Sequence, residues 1–256
     1  SRPRKSGPSI ACDARYRQTA SAMASTCDSV NVRAVAAVHV HPTVPWRTVA
    51  VDEGPVNASL DHLRVVVEGA GGHAAYPHAA KDPVLALSQV VVSLQQVVSR
   101  RMDPMTDAVL TVGWLRAGSA DNVIPDRAEG GGTLRVLQPD ARAPLLRAIR
   151  EVVEHAARAH GCAAWIEVIE GEPAVVNDGS LARRVRMLLP RAGLELAAEM
   201  RSCGSDDFGY FAAAVPSLMV FLGLRGGPGD QGRPLHHPRF LPPDEAVGAV
   251  ADAQAA

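Results

Sequence analysis

Cysteine is scarce in this sequence. Cys12, Cys27, Cys162 and Cys203 are the only four among 256 residues, and they stand far apart with no CxxC pair. This argues against a disulfide framework or a cysteine-built zinc site, and it fits a reducing, cytoplasmic setting. Net charge is nearly absent too, at −1, which gives no electrostatic footprint for nucleic acid or an anionic membrane. No apolar run is long and uninterrupted enough to span a bilayer. The N-terminus is basic but is followed by no apolar h-region, so no signal peptide is expected. What the chain does have is a hydrophobic content of 47%, enough for two medium domains or one large one.

Residues 1–31 are rich in Arg, Ser, Ala and Thr, show neither a helical nor a strand period, and are expected to be poorly ordered. Order begins at residue 32. "VRAVAAVHVHP" reads as a buried strand running out at His39, and "TVAVDEGP" as a second short strand. A more definite unit follows. "LRVVVEG" (63–69) is a strand, Asp82 an N-cap, Pro83 a first helical residue, and "PVLALSQVVVSLQQVVSRR" a helix with Leu87, Val91, Leu94 and Val98 inward. Strands are expected at 107–115 and 132–137. An amphipathic helix then presents Leu145, Ile149, Val152 and Val153 inward and ends at Gly161, before a last strand at 163–170. The order β-α-β-β-α-β is the split ferredoxin-like unit, whose helices cover one face of an antiparallel sheet. Beyond it, a helix near 180–190, a short helix at 206–214 and an apolar strand at 217–224 alternate as in an α/β layer, and 225–244 is loop. The fold class is therefore α/β, with a ferredoxin-like block at 59–173 inserted between the flanks 32–58 and 174–256.

Several residues have two readings at this point. His39, at the end of a strand in an α/β sheet, is well placed for function, or is simply a strand-end histidine. His236 and His237 are adjacent, so at most one can turn toward a shared site; zinc accepts imidazole, but a catalytic zinc site usually has three protein ligands. Asp206 in "GSDDF" is a candidate ligand or an ordinary helix cap. Asn122 in "NVIPD" is, taken alone, a turn residue. Arg135 alternates with apolar neighbours and so faces away from the core, either solvated or clamping a carboxylate. His73, in "GGHAAYPHAAKDP", is a working residue or part of a strand-to-helix loop.

Taken together, "GAGGHAAYPHAAKDPVLALSQVVVSLQQVVSR", "NVIPDRAEGGGTLRVLQPDA", "VVNDGSLA", "GSDDFGYF" and "LHHPRF" resemble, in this order and spacing, the metal-dependent amidohydrolases and peptidases of the aminoacylase, hippurate hydrolase and auxin-conjugate hydrolase family. The resemblance covers roughly residues 32 to 256. It implies a partial catalytic α/β domain (32–58 and 174–256) and an inserted lid that also dimerises (59–173). It further implies a divalent metal cofactor (Zn, Mn or Co), an N-acyl amino acid or peptide as substrate, and a homodimer. By that resemblance His39 and His236 are metal ligands, and His73 is the lid histidine that polarises the scissile carbonyl. Asn122 and Arg135 hold substrate, and Asp206 stands where the family has a glutamate. In the family reaction a metal-activated water attacks the amide carbonyl and a glutamate carries its proton to the leaving amine.

The 256 residues contain no "HxCGHDxH" and no "QPAEEG", the segments that supply the family's first ligands and its general base. About thirty residues before His39, where the acidic pair is expected, stands "RPRKSG". Codons for Pro-Arg-Lys-Ser, read in another frame, can spell Ala-Glu-Glu, so a shifted frame is one expectation for this segment and a divergent terminus the other. Three function classes remain open at this stage. They are an N-terminally truncated amidohydrolase inactive alone, a non-catalytic remnant acting as a dimerisation module, and a small-molecule-binding ferredoxin-like domain.

Overall fold

In a computed structural model, residue 22 and residues 31–255 are described. Apart from Ala22 and Asn31, the segment expected to be poorly ordered lies outside them. The chain divides into two compact units, one made of residues 1–57 and 173–256, the other of Ala58–Glu172.

The second unit contains β4 (Ser59–Glu68), β5 (Gly72–His73), α1 (Pro83–Arg100), β6 (Ala108–Ala117), β7 (Val123–Ile124), β8 (Arg127–Val136), α2 (Pro139–Arg158) and β9 (Ala163–Glu170). The sheet order is β6-β8-β4-β9, antiparallel throughout, and β5 pairs with β7 in a separate ribbon. Alternation decides which sheet face meets the helices. Leu63, Val65 and Val67 of β4 and Leu134 and Val136 of β8 join Leu87, Val90, Leu94, Leu145, Ile149 and Val153 in one core. Arg64, Glu129 and Glu167 pair on the opposite face. α1 begins where expected, because Asp82 accepts from the N–H groups of Val84 and Leu85 and Pro83 follows it. Its inward stripe is rotated from the expected one: Val90 and Val97 are buried, while Val91 and Val98 are half-buried. Both sets keep a helical period in a run of valines, and packing against α2 and the sheet selects the first.

The first unit contains β1 (Val35–Pro45), β2 (Thr48–Ala50), β3 (Gly54–Asn57), β10 (Val175–Asn177), α3 (Gly179–Leu188), β11 (Glu195–Leu196), α4 (Gly209–Ala214), β12 (Ser217–Arg225) and α5 (Glu245–Ala255). Its sheet runs β1-β12-β2-β11, with β1 and β12 parallel. β1 was expected to be buried. It is half-buried, because it is the edge of this sheet among the described residues, and the buried strand is β12 beside it. "TVAVDEGP" is likewise not one strand but β2 and the start of β3, which lie in different sheets. Asn177 ties the ribbon to the sheet: its side-chain N–H groups donate to the carbonyls of Asp52 (2.9 Å) and Met219 (2.8 Å), and its Oδ1 accepts from Met219 N (2.7 Å). A fully paired amide of this kind can be buried at no net cost.

Candidate active site

In the first unit, parallel pairing sets His39 opposite Phe221. The rings of His39 and His41, two residues apart and so on one side of the strand, both pack on Phe221, with centroids at 6.1 and 5.8 Å. His39 Nδ1 lies 2.7 Å from the Val40 carbonyl. A carbonyl can only accept, so Nδ1 carries the proton and the neutral ring leaves Nε2 as a bare lone pair. That nitrogen lies 3.9 Å from Asp206 Oδ2, too far for a hydrogen bond. The other oxygen of Asp206 accepts from Phe208 N at 2.8 Å, in the turn before α4. Asp206 thus braces the turn before α4 with one oxygen and has the other turned toward His39, and it does not cap a helix. The expected helix at 206–214 starts only at Gly209.

His41 was not singled out from the sequence. Its Nδ1 accepts from Thr43 N (3.3 Å) and lies 2.9 Å from the Thr43 hydroxyl. Burial first, and then the neighbouring His39, hold its pKa below the ordinary histidine value. The alternation in "HVH" was the available signal. His236 sits at a positive φ of 63°, a conformation a non-glycine residue adopts at a cost of about 1–2 kcal/mol. His237 accepts from Arg239 N through Nδ1 (3.1 Å). The structure brings His39 and Asp206 together but does not add His236 to them: among the described residues no group of three or more His, Cys, Asp or Glu side chains could hold a metal ion. One imidazole and one carboxylate are too few donors for a tightly held dication, so the described residues do not by themselves fit the metal.

In the second unit, His73 lies in β5 and pairs with Val123 of β7, and Ala74 N donates to the Asn122 carbonyl (3.1 Å). This short ribbon sets His73 beside Asn122. Both ends of the loop are pinned by reciprocal bonds between Ala70 and Lys81 (2.9 and 2.8 Å). Glycine is required at its entry, since a Cβ on Gly69 would stand 2.1 Å from the Lys81 carbonyl and one on Gly71 2.6 Å from that of Ile124. His73 Nδ1 accepts from Ala75 N at 3.0 Å. The neutral ring therefore carries its proton on Nε2, as a donor pointing out of an exposed loop. Arg135 stands in β8 opposite Leu60 and Val109, on the sheet face away from the helices and not in the ribbon.

A lid-type sheet with a projecting imidazole, and an α/β sheet with a histidine–carboxylate pair, define the chain as one built like the metal-dependent amidohydrolases. The chain belongs to the M20 peptidase family. Residues 57–161 match its peptidase dimerisation domain. N-acetylcysteine deacetylase of Bacillus subtilis (strain 168) is 34% identical over 216 residues, which are 84% of this chain and 56% of that protein. N-acetyldiaminopimelate deacetylase of Anoxybacillus flavithermus (strain DSM 21510 / WK1) is 34% identical over 214 residues, 83% of this chain and 55% of the relative. Among solved structures, a Bacillus subtilis protein described as a dinuclear metal binding peptidase from the M20 family superposes with a TM-score of 0.74 at 28% identity, covering 91% of this chain and 59% of its own. The chain thus spans little more than half the length of the curated relatives it matches.

Proposed function

We propose that this chain is the lid and the C-terminal part of the catalytic domain of an amidohydrolase that cleaves N-acyl amino acids or related peptides. Residues 59–173 are the lid, and 32–58 with 174–256 the catalytic part. The observation that carries the reading is the fixed tautomer of His73. An exposed imidazole whose Nδ1 is filled by a backbone N–H can only donate through Nε2, which is what polarising an amide carbonyl and stabilising its oxyanion requires. Asn122, beside it, and Arg135 hold the substrate, the arginine through its carboxylate. His39 and His236 are the metal-ligand histidines of this part, with Asp206 as a further donor. The ion is zinc, manganese or cobalt. The enzyme is cytoplasmic and a homodimer joined through the lid.

A second reading has its own support. A polypeptide of these 256 residues has no described ligand group and contains a dimerisation domain. In this reading it acts by itself only as a dimerisation module, without hydrolysis.

A chimera separates the two. Residues 1–31 are replaced by the corresponding N-terminal part of the Bacillus subtilis N-acetylcysteine deacetylase, and hydrolysis of N-acetyl amino acids is measured with added divalent metal. Metal-dependent turnover that falls at least about a hundredfold in His39→Ala and in His73→Ala is expected, the scale of losing an oxyanion donor. A folded chimera that binds metal without turnover would support the module reading instead.

A further inference from the structure

The loop that carries His73 contains three rings in contact. Tyr76 lies with its ring centroid 5.5 Å from that of His73, tilted by 58°, and 6.3 Å from that of His78, nearly perpendicular at 89°. Its backbone is held at both sides: Tyr76 N donates to the His73 carbonyl (2.9 Å), and the Tyr76 carbonyl accepts from Ala79 N (3.1 Å). Yet the side chain is 60% exposed, so it contributes little to a hydrophobic core. An aromatic ring kept in the open, fixed at its backbone and in contact with two imidazoles, needs another explanation than burial.

We propose that Tyr76 is a positioning residue for His73: its ring backs the imidazole and holds it in the rotamer in which Ala75 N–H reaches Nδ1 and Nε2–H points outward. This rests on the reading of His73 as the donor to a substrate carbonyl. The reasoning is geometric. An exposed histidine on a loop ordinarily samples several side-chain rotamers. The Ala75 bond specifies the tautomer only while the ring stays in one of them. Ring–ring contact removes the rotamers that would swing the imidazole across the tyrosine, and His78, nearly perpendicular to Tyr76 at 6.3 Å, limits the tyrosine in turn. The donor is thereby set before a substrate arrives, which is the condition under which an oxyanion donor is most effective. The contact is made by the ring and does not need the phenol hydroxyl, so phenylalanine should serve equally.

The test uses the 256-residue protein, labelled with 15N and 13C, at pH about 9, where an ordinary imidazole is neutral. Long-range 1H–15N correlations read the His73 tautomer and side-chain couplings read its rotamer. The protein and Tyr76→Phe are expected to show one rotamer with the proton on Nε2. In Tyr76→Ala the ratio of that rotamer to the others should fall roughly fivefold, the scale of one aromatic contact, with the remaining amide spectrum unchanged because the residue is exposed. A Tyr76→Ala protein that keeps the single rotamer and tautomer overturns the proposal, as does a Tyr76→Phe protein that behaves like the alanine variant. The donor reading is tested separately: if His73→Ala leaves the turnover of the chimera unchanged, that reading falls while the spectroscopic result on Tyr76 stands.

Discussion

Asp61 is completely buried in β4 and is acceptable there because of a single partner. Arg142 reaches it from α2 as a fork, through Nε to Oδ2 (2.8 Å) and through a terminal nitrogen to Oδ1 (2.6 Å), with Glu170 3.3 Å from the same guanidinium. The bond to Asp61 raises the Arg142 pKa above its ordinary value against the opposing effect of burial. Breaking such a pair leaves a charge without compensation, which costs about 3 kcal/mol. Arg142→Ala, which strands the buried Asp61 carboxylate, is accordingly expected to lower stability by about that amount in urea unfolding followed by circular dichroism. A loss below about 0.5 kcal/mol would mean the pair is no better than an exposed one. At the same scale, the two key imidazoles differ in kind: His39 donates from Nδ1 and keeps a bare Nε2, whereas His73 accepts at Nδ1 and offers Nε2–H. The sequence offers His39 as a strand-end residue and His73 as a loop residue; in the structure His39 lies within β1, which continues to Pro45, and His73 in β5, and the backbone groups around each set its tautomer.

Among elements, β6 is the informative one. Among the described residues it is one edge of the second unit's sheet, and it exposes Val109, Trp114 and Leu115, while α1 exposes Val84, Leu85 and Val92. An edge strand with apolar neighbours is a place where a second copy can add its own sheet. Val92→Glu combined with Val109→Glu should convert a dimer into a monomer in sedimentation equilibrium with helix content unchanged. A variant that remains dimeric would place the interface elsewhere. The elements of this unit were the most legible: β9 spans 163–170 as read, and α1 and α2 end within a few residues of expectation. Their patterns are amphipathic and their caps are local, so the information lies in a few consecutive residues. α5 was missed for the opposite reason. "EAVGAVADAQA" is built of small residues, buries only Ala246 and Ala249, and carries no strong apolar stripe. The status of β1 was also out of reach, because whether a strand is an edge depends on partners far away in sequence.

For the molecule as a whole, the chain leaves one compact unit after Asn57 and returns to it at Pro173, so the residues of the α/β sheet are split by a complete β-α-β-β-α-β block. The change from strand–helix alternation to that block was visible in the sequence. The placing of His73 beside Asn122 by a ribbon of two-residue strands, in which His73 pairs with Val123, was not, since such short strands leave no periodic trace. Nothing in the sequence joins His39 to Asp206, which the resemblance only sets where the family has a glutamate; the structure brings them to 3.9 Å. His236 was given a role by the same resemblance, but the described residues do not gather it with that pair. The central claim is the proposed one, that these residues belong to an amide-hydrolysing site of which the described residues hold only part of the ligand set. The direct measurement is hydrolysis of N-acetylcysteine and N-benzoyl amino acids by the purified 256-residue protein, loaded in turn with zinc, manganese and cobalt. The expected result is no turnover above the metal-only background; sustained metal-dependent hydrolysis that His39→Ala abolishes would contradict it.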